Sequence, residues 1–287
     1  MRVGFMTMVR TRSVVLIAAL LACPARDGTR GELETHQVGT SITPEAAPPP
    51  RGASSKLAPF TAGVWLEPLP MPPGHAAFVS VPLGATEPRP VMVGMHGAGD
   101  RPEWACGGYR AATDAFPFII CPRGFPQGPS APDKFFTPGA ERMAEDITSA
   151  LAALRARFGP YVAEGPLLYA GFSLGAIHGA KLLAAHASTF PVALLIEGGY
   201  TEITPALAAR YAEQGGKRVM LGCGQAACRP SFQAAERALR RAGIEVMLLD
   251  AGTGRHNLDG PMMRALRDAW PQLVAGDPRW EGLRPAP

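Results

Sequence analysis

Seven short apolar runs follow Phe60: "AAFVSVPL", "PVMVGM", "FPFIICP", "PLLYAG", "PVALLIE", "KRVMLGC" and "IEVMLLD". Most are continuously apolar rather than alternating, as expected of strands buried on both faces. Helix-like stretches lie between or after them, near 140–158, 174–187, 204–214, 230–242 and 260–274. The clearest is "ERMAEDITSALAALRARF", acidic at its start and basic at its end, as the helix dipole favours. This alternation predicts an α/β fold, a mainly parallel central sheet with helices on both faces. The chain has 287 residues, 47% of them hydrophobic, enough for one such core, and it contains no internal repeat.

The first 60 residues lack this pattern. Residues 1–22 carry Arg2, Arg10 and Arg12, then an apolar run from Val14 to Ala22, and no acid. That is the order of a secretory signal peptide, too short to span a membrane. It ends in "ALLAC", which resembles a bacterial lipoprotein box with Cys23 as the acylated residue. Leu21 departs from that box, where a small or β-branched residue is usual, and plain secretion with cleavage nearby is the alternative. Residues 23–60 are rich in Pro, Gly, Thr and Ser and read as a disordered tether ahead of a domain at 61–287. The expected location is the cell envelope or the exterior, with membrane contact through a lipid anchor only.

Removing residues 1–22 lowers the formal charge from +4 to +1, so the basicity belongs mostly to the targeting segment. There is no electrostatic case for nucleic acid. Four cysteines then remain, and an even number in an exported chain favours disulfides. Cys223 and Cys228 bracket one short loop and are expected to pair, leaving Cys106 with Cys121. Their spacing does not suit a metal site, and no histidine lies close in sequence.

The chemistry centres on "GFSLG", Gly171 to Gly175, at the joint between a predicted strand and a predicted helix. This matches the G-x-S-x-G nucleophile elbow, in which small residues flank the serine because the turn is cramped. A tight turn without chemistry would also use glycine. A second feature decides for chemistry: "RPVMVGMHGAGD" places a strand, His96 and a glycine-containing loop about 75 residues upstream. An oxyanion hole needs N–H groups from two sides, and Leu174 with the Gly97–Ala98 segment would supply them.

On these motifs the chain resembles the α/β-hydrolase family over about Ala76 to Ala275, within it the carboxylesterase and depolymerase-type esterase branches. The resemblance implies the α/β-hydrolase fold, a serine hydrolase mechanism and no cofactor; it does not fix the substrate, which is expected to be a small-molecule ester. Six histidines compete as the base. His36 lies in the tether, His75 precedes the first predicted strand, and His96 belongs to the oxyanion loop. His178 points about 140° away from Ser173 round the helix, and His186 lies roughly 20 Å along it. His256 remains, in the loop "AGTGRHN" after the last strand, where the family keeps its base.

One element departs from the family. Its acid is usually drawn from the loop after the penultimate strand, here "GCGQAACRPSF", which holds no Asp or Glu. Gln225 could hydrogen-bond an imidazole there but could not stabilise its charged form. Glu197, at the end of the preceding strand, is the first candidate acid. Asp250 and Asp259, flanking His256, are weaker ones. The resulting expectation is a serine esterase acting through an acyl-enzyme. The rival is a non-catalytic or weakly active binding module, and a peptidase or acyltransferase could use the same site. No insertion resembles a large lid, which favours small or soluble esters.

Overall fold

All seven predicted runs form strands of one sheet in the computed structural model, which describes residues 56–252, 255–258 and 260–283. In chain order the strands are β1 (Leu66–Pro68), β2 (Ala77–Ser80), β3 (Val91–Met95), β4 (Phe118–Pro122), β5 (Phe125–Pro126), β6 (Phe135–Phe136), β7 (Leu168–Phe172), β8 (Val192–Ile196), β9 (Arg218–Cys223) and β10 (Glu245–Asp250). The α-helices are α1 (Pro102–Ala112), α2 (Ala140–Phe158), α3 (Leu174–Ala185), α4 (Pro205–Glu213), α5 (Arg229–Arg241) and α6 (Gly260–Leu273). The main sheet runs β1-β2-β4-β3-β7-β8-β9-β10, with β5 and β6 forming a separate small pair. Within the main sheet the pairings from β4 through β3 to β10 are parallel, and β1–β2 and β2–β4 are antiparallel.

The period of two along each strand explains why the runs are continuously apolar. In β4, Phe118 and Ile120 enter one core while Ile119 and Cys121 enter the other. β8 divides Ala193 and Leu195 from Leu194 and Ile196 in the same way. Helices α2 to α5 cover the first face, burying residues such as Met143, Leu154, Leu183, Tyr211 and Leu239. Helices α1 and α6 cover the second with Tyr109, Met262, Leu266 and Trp270. Each fully buried large aliphatic side chain contributes about 1.5–3 kcal/mol, so neither face could be left open.

Helix α1 was not expected from the sequence. Two adjacent glycines, Gly107 and Gly108, weaken "PEWACGGYRAA" as a helix former. Tertiary contacts override that weakness: Ala105, Cys106, Tyr109 and Ala112 form a buried stripe, and Cys106 is bonded to Cys121 of β4. The legible signals were at the ends, with Pro102 in the first turn, Glu103 beside it and Arg110 in the last turn.

The fold's contacts begin slightly before residue 61. Leu57 N–H donates to Thr86 O at 2.8 Å, and Phe60 is buried edge-on against Phe118, Phe158 and Tyr161. The expected signal segment, Cys23, His36 and most of the expected tether lie outside the described residues. Among the described residues no helix is long and apolar enough to cross a membrane.

The Cys106–Cys121 bond joins residues 15 apart. On the chain-entropy scale a loop of that length stabilises by about 3 kcal/mol. A Cys106→Ala/Cys121→Ala variant is therefore expected to lose at least that much in urea denaturation under non-reducing conditions. An unchanged midpoint would show that the bond does not hold α1 on the sheet.

Candidate active site

Ser173 stands between β7 and α3 with φ 52° and ψ −116°. A non-glycine residue held in this part of backbone space costs of order 1–3 kcal/mol, so its surroundings must impose it. They do so from two sides. Ser173 N–H donates to Ile196 O at the end of β8 (2.9 Å), and Ser173 O accepts from Ile177 N–H as α3 begins (3.0 Å). The flanking glycines are required by close approach. A Cβ on Gly171 would lie 2.7 Å from the Gly175 carbonyl, and one on Gly175 would lie 2.7 Å from Met95 Cβ and 2.8 Å from His96 O. Strands β3 and β7 and helix α3 meet there with no room for a side chain.

His256 reaches this turn from the loop after β10. Its Nε2 is 2.8 Å from Ser173 Oγ, and its ring packs on Phe172 with centroids 5.1 Å apart. Glu197 follows β8 directly and, like Ser173, has a left-handed φ, 55°. Its side chain is only 1% exposed. Glu197 Oε1 accepts from Gly224 N–H at 2.6 Å, and Oε2 accepts from Gln225 Nε2 at 2.9 Å. Oε2 is also 3.5 Å from His256 Nδ1, longer than an ordinary N–H···O bond, while Gln225 Nε2 is 3.2 Å from the same nitrogen. Beside them Tyr200 donates its O–H to Gly222 O. Burial first, and the Glu197 charge second, push that phenol well above its ordinary range and keep it neutral.

Gly224 and Gln225 occupy the loop that Cys223 and Cys228 close by a disulfide, five residues apart. A loop that short stabilises by about 2 kcal/mol, and its main effect is to fix the two donors beneath Glu197. The two Sγ atoms and a Glu197 oxygen lie within 4.8 Å of one another. The bond between the sulfurs removes both thiolates from metal ligation.

The remaining candidates are placed as follows. Asp250 pairs with Arg229 at 3.0 Å and accepts from Gly252 N–H, and Asp259 lies outside the described residues. His96 spans two carbonyls, with Nδ1 2.7 Å from Gly97 O and Nε2 3.0 Å from Arg123 O, and so shapes the loop after β3. A Cβ on Gly97 would meet Ser173 Cβ at 3.1 Å, so the Gly97–Ala98 segment runs against the serine. Leu174 N–H opens α3, where no intrahelical acceptor exists. His75 is paired with Asp146 at 2.6 Å. His178 and His186 line a separate cavity with Glu141 and Lys181, and burial lowers the pKa of His178.

Sequence reasoning missed Gly224 as a donor, Gln225 as a partner of Glu197, and the cleft beside His256. That cleft, about 370 Å³, is bounded by His96, Asp100, Trp104, Phe172, His256 and Leu258. Trp104, 61% exposed, stands on the unexpected helix α1.

A mainly parallel sheet with helices on both faces and a strand–serine–helix turn at its centre is the α/β-hydrolase fold. Solved structures share it. A Staphylococcus aureus protein, the fluorophosphonate-binding serine hydrolase FphF, matches with TM-score 0.55 and 12% identity over 73% of this chain and 98% of its own. The dienelactone hydrolase-like promiscuous phosphotriesterase P91, from metagenomic libraries, matches with TM-score 0.54 and 16% identity over 72% and 98%. TT1662 from Thermus thermophilus matches with TM-score 0.50 and 17% identity over 73% and 98%. No family model and no curated protein matches the sequence. Likeness at these identities carries the fold and leaves the reaction to the site.

The packing of the turn makes a sharp expectation. Gly175→Ala adds a methyl group against backbone and Met95, an overpacking that costs about 1–3 kcal/mol. Thermal melting should show that loss. Labelling of Ser173 by an active-site probe should fall further, because α3 must shift. Full labelling in a stable Gly175→Ala protein would mean that the turn tolerates the displacement.

Proposed function

We propose that this protein hydrolyses small carboxylic esters through an acyl-enzyme on Ser173. One observation carries the reading: a serine held in strained backbone at a strand–helix turn lies 2.8 Å from a histidine Nε2. In this mechanism Ser173 Oγ attacks the ester carbonyl carbon while His256 Nε2 takes its proton. The Leu174 N–H and the Gly97–Ala98 segment receive the oxyanion. His256 then protonates the departing alcohol, and water attacks the acyl-enzyme with His256 again as base. Glu197 is the acid of the triad, its buried charge stabilising the imidazolium that forms in each half-reaction. The cleft of about 370 Å³ suits a small ester group.

A second reading has one observation in its favour. The Gln225 amide is nearer to His256 Nδ1 than Glu197 is, an arrangement that a non-catalytic ligand-binding protein could keep without penalty. A fluorophosphonate probe separates the two. The wild-type protein is expected to label, and Ser173→Ala to remain unlabelled; equal absence of label in both would favour binding alone. Glu197→Gln should lower kcat by up to about ten-thousandfold with the fold intact, as loss of the acid does in a serine protease. A small change would reduce Glu197 to a buried structural charge.

The site is further proposed to work outside the cytoplasm, on a protein exported by residues 1–22 and lipid-anchored at Cys23. The basic–apolar–cysteine order and the proline-rich segment behind it support this. Mass spectrometry of the membrane fraction should find an acylated N-terminal Cys23. An unmodified N-terminus elsewhere would leave simple secretion.

A further inference from the structure

Gln225 stands between the two groups that the proposed triad would join. Its Nε2 is 2.9 Å from Glu197 Oε2 and 3.2 Å from His256 Nδ1, whereas those two atoms are 3.5 Å apart. The facing of the amide follows from charge. An ionised carboxylate only accepts, so the group 2.9 Å from Oε2 is the NH2 and not the carbonyl oxygen. That nitrogen carries two hydrogens and no acceptor capacity. One hydrogen serves Glu197, and the other is available to His256 Nδ1.

A proton on Nδ1 would oppose the amide hydrogen, donor against donor. With Nδ1 turned to the amide, neutral His256 would carry its proton on Nε2 and donate it to Ser173 Oγ, 2.8 Å away. In that tautomer Nε2 has no lone pair with which to take the serine proton. We propose that Gln225 is a positioning residue that holds resting His256 in the unproductive tautomer and partly neutralises Glu197, so that turnover requires the amide to leave Nδ1. The proposal rests on the hydrolase reading above and adds to it the residue that sets its rate.

Other charged or titratable groups stand round the ring. Asp100 and His96 line the cleft from the loop after β3, Tyr200 lies on the far side by Glu197, and Arg255 precedes His256 in the chain. Among the described residues, Glu197 is the carboxylate within 4 Å of the ring. The backbone of Gln225 is fixed, its main-chain N–H lying 3.3 Å from Cys223 Sγ inside the disulfide-closed loop, so that only the side chain has to swing.

The direct test is 15N NMR of the full folded chain, with the His256 signals identified by their loss in His256→Gln. Above the pH at which the ring titrates, the expected result is a protonated Nε2 and a bare Nδ1. A protonated Nδ1 overturns the proposal. The second test is Gln225→Leu, assayed on a soluble chromogenic ester across pH. With Nδ1 free to give its proton to Glu197, kcat/KM on the plateau should rise about tenfold. The acid limb should move to higher pH, because an uncovered carboxylate favours the imidazolium. A fall in kcat/KM with the acid limb in place would mean that Gln225 merely supports Glu197, and would overturn the proposal. Should Gln225→Leu fail to fold, the wild-type tautomer decides alone. Fluorophosphonate labelling keeps the two readings apart: a labelled Ser173 beside a protonated Nδ1 removes only the role of Gln225, whereas an unlabelled Ser173 removes the hydrolase.

Discussion

The parallel register that pairs Phe172 with Ile196 is the constraint on which the site depends. One residue beyond that pair, both strands turn through left-handed backbone, at Ser173 (φ 52°) and at Glu197 (φ 55°). The two kinks are coupled, because Ser173 N–H donates to Ile196 O and Glu197 N–H donates to Gly222 O on the next strand. Ser173 and Glu197 are thus brought to neighbouring strand ends by the ladder itself. His256 has only to reach across them from the loop after β10. A slip of one residue would turn Ser173 or Glu197 to the opposite face of the sheet.

Burial of Glu197 creates a second requirement. A carboxylate removed from water costs several kcal/mol unless its oxygens are satisfied. Gly224 and Gln225 supply one donor to each oxygen. Both lie in the loop after β9, where the family resemblance leads one to look for an acid. The exchange is coherent: the proposed acid directly follows β8, and the β9 loop that lacks a carboxylate furnishes its hydrogen bonds. The disulfide that closes this loop holds the donors in place without occupying the space that Glu197 fills.

The two-faced core explains the outer parts of the fold. Because both sides of the sheet are apolar, α1 is recruited to the second face despite Gly107 and Gly108, and its attachment carries Trp104 to the cleft. The edges are treated differently. β10 alternates between buried and exposed positions, as a strand with solvent on one side does, and β1 is only three residues long.

The sequence by itself determined seven of the eight strands of the main sheet, five of the six described α-helices and the two residues around which the chemistry is proposed. Continuous apolar runs can be satisfied only by burial on both faces, and the glycine-flanked serine is a local signal that needs no distant partner. Naming His256 rested on its position after the last strand, where the family that the chain resembles keeps its base, and on the poor placement of its five competitors. Tertiary structure decided the rest. Helix α1 exists because the core needs it, against its own propensity. The surroundings of Glu197 could not be read from the chain, because Gly224, Gln225 and His256 lie 27, 28 and 59 residues further on and meet it only through strand register. Whether that carboxylate or an amide faces Nδ1 depends on a few tenths of an ångström, which side-chain packing sets and composition does not encode.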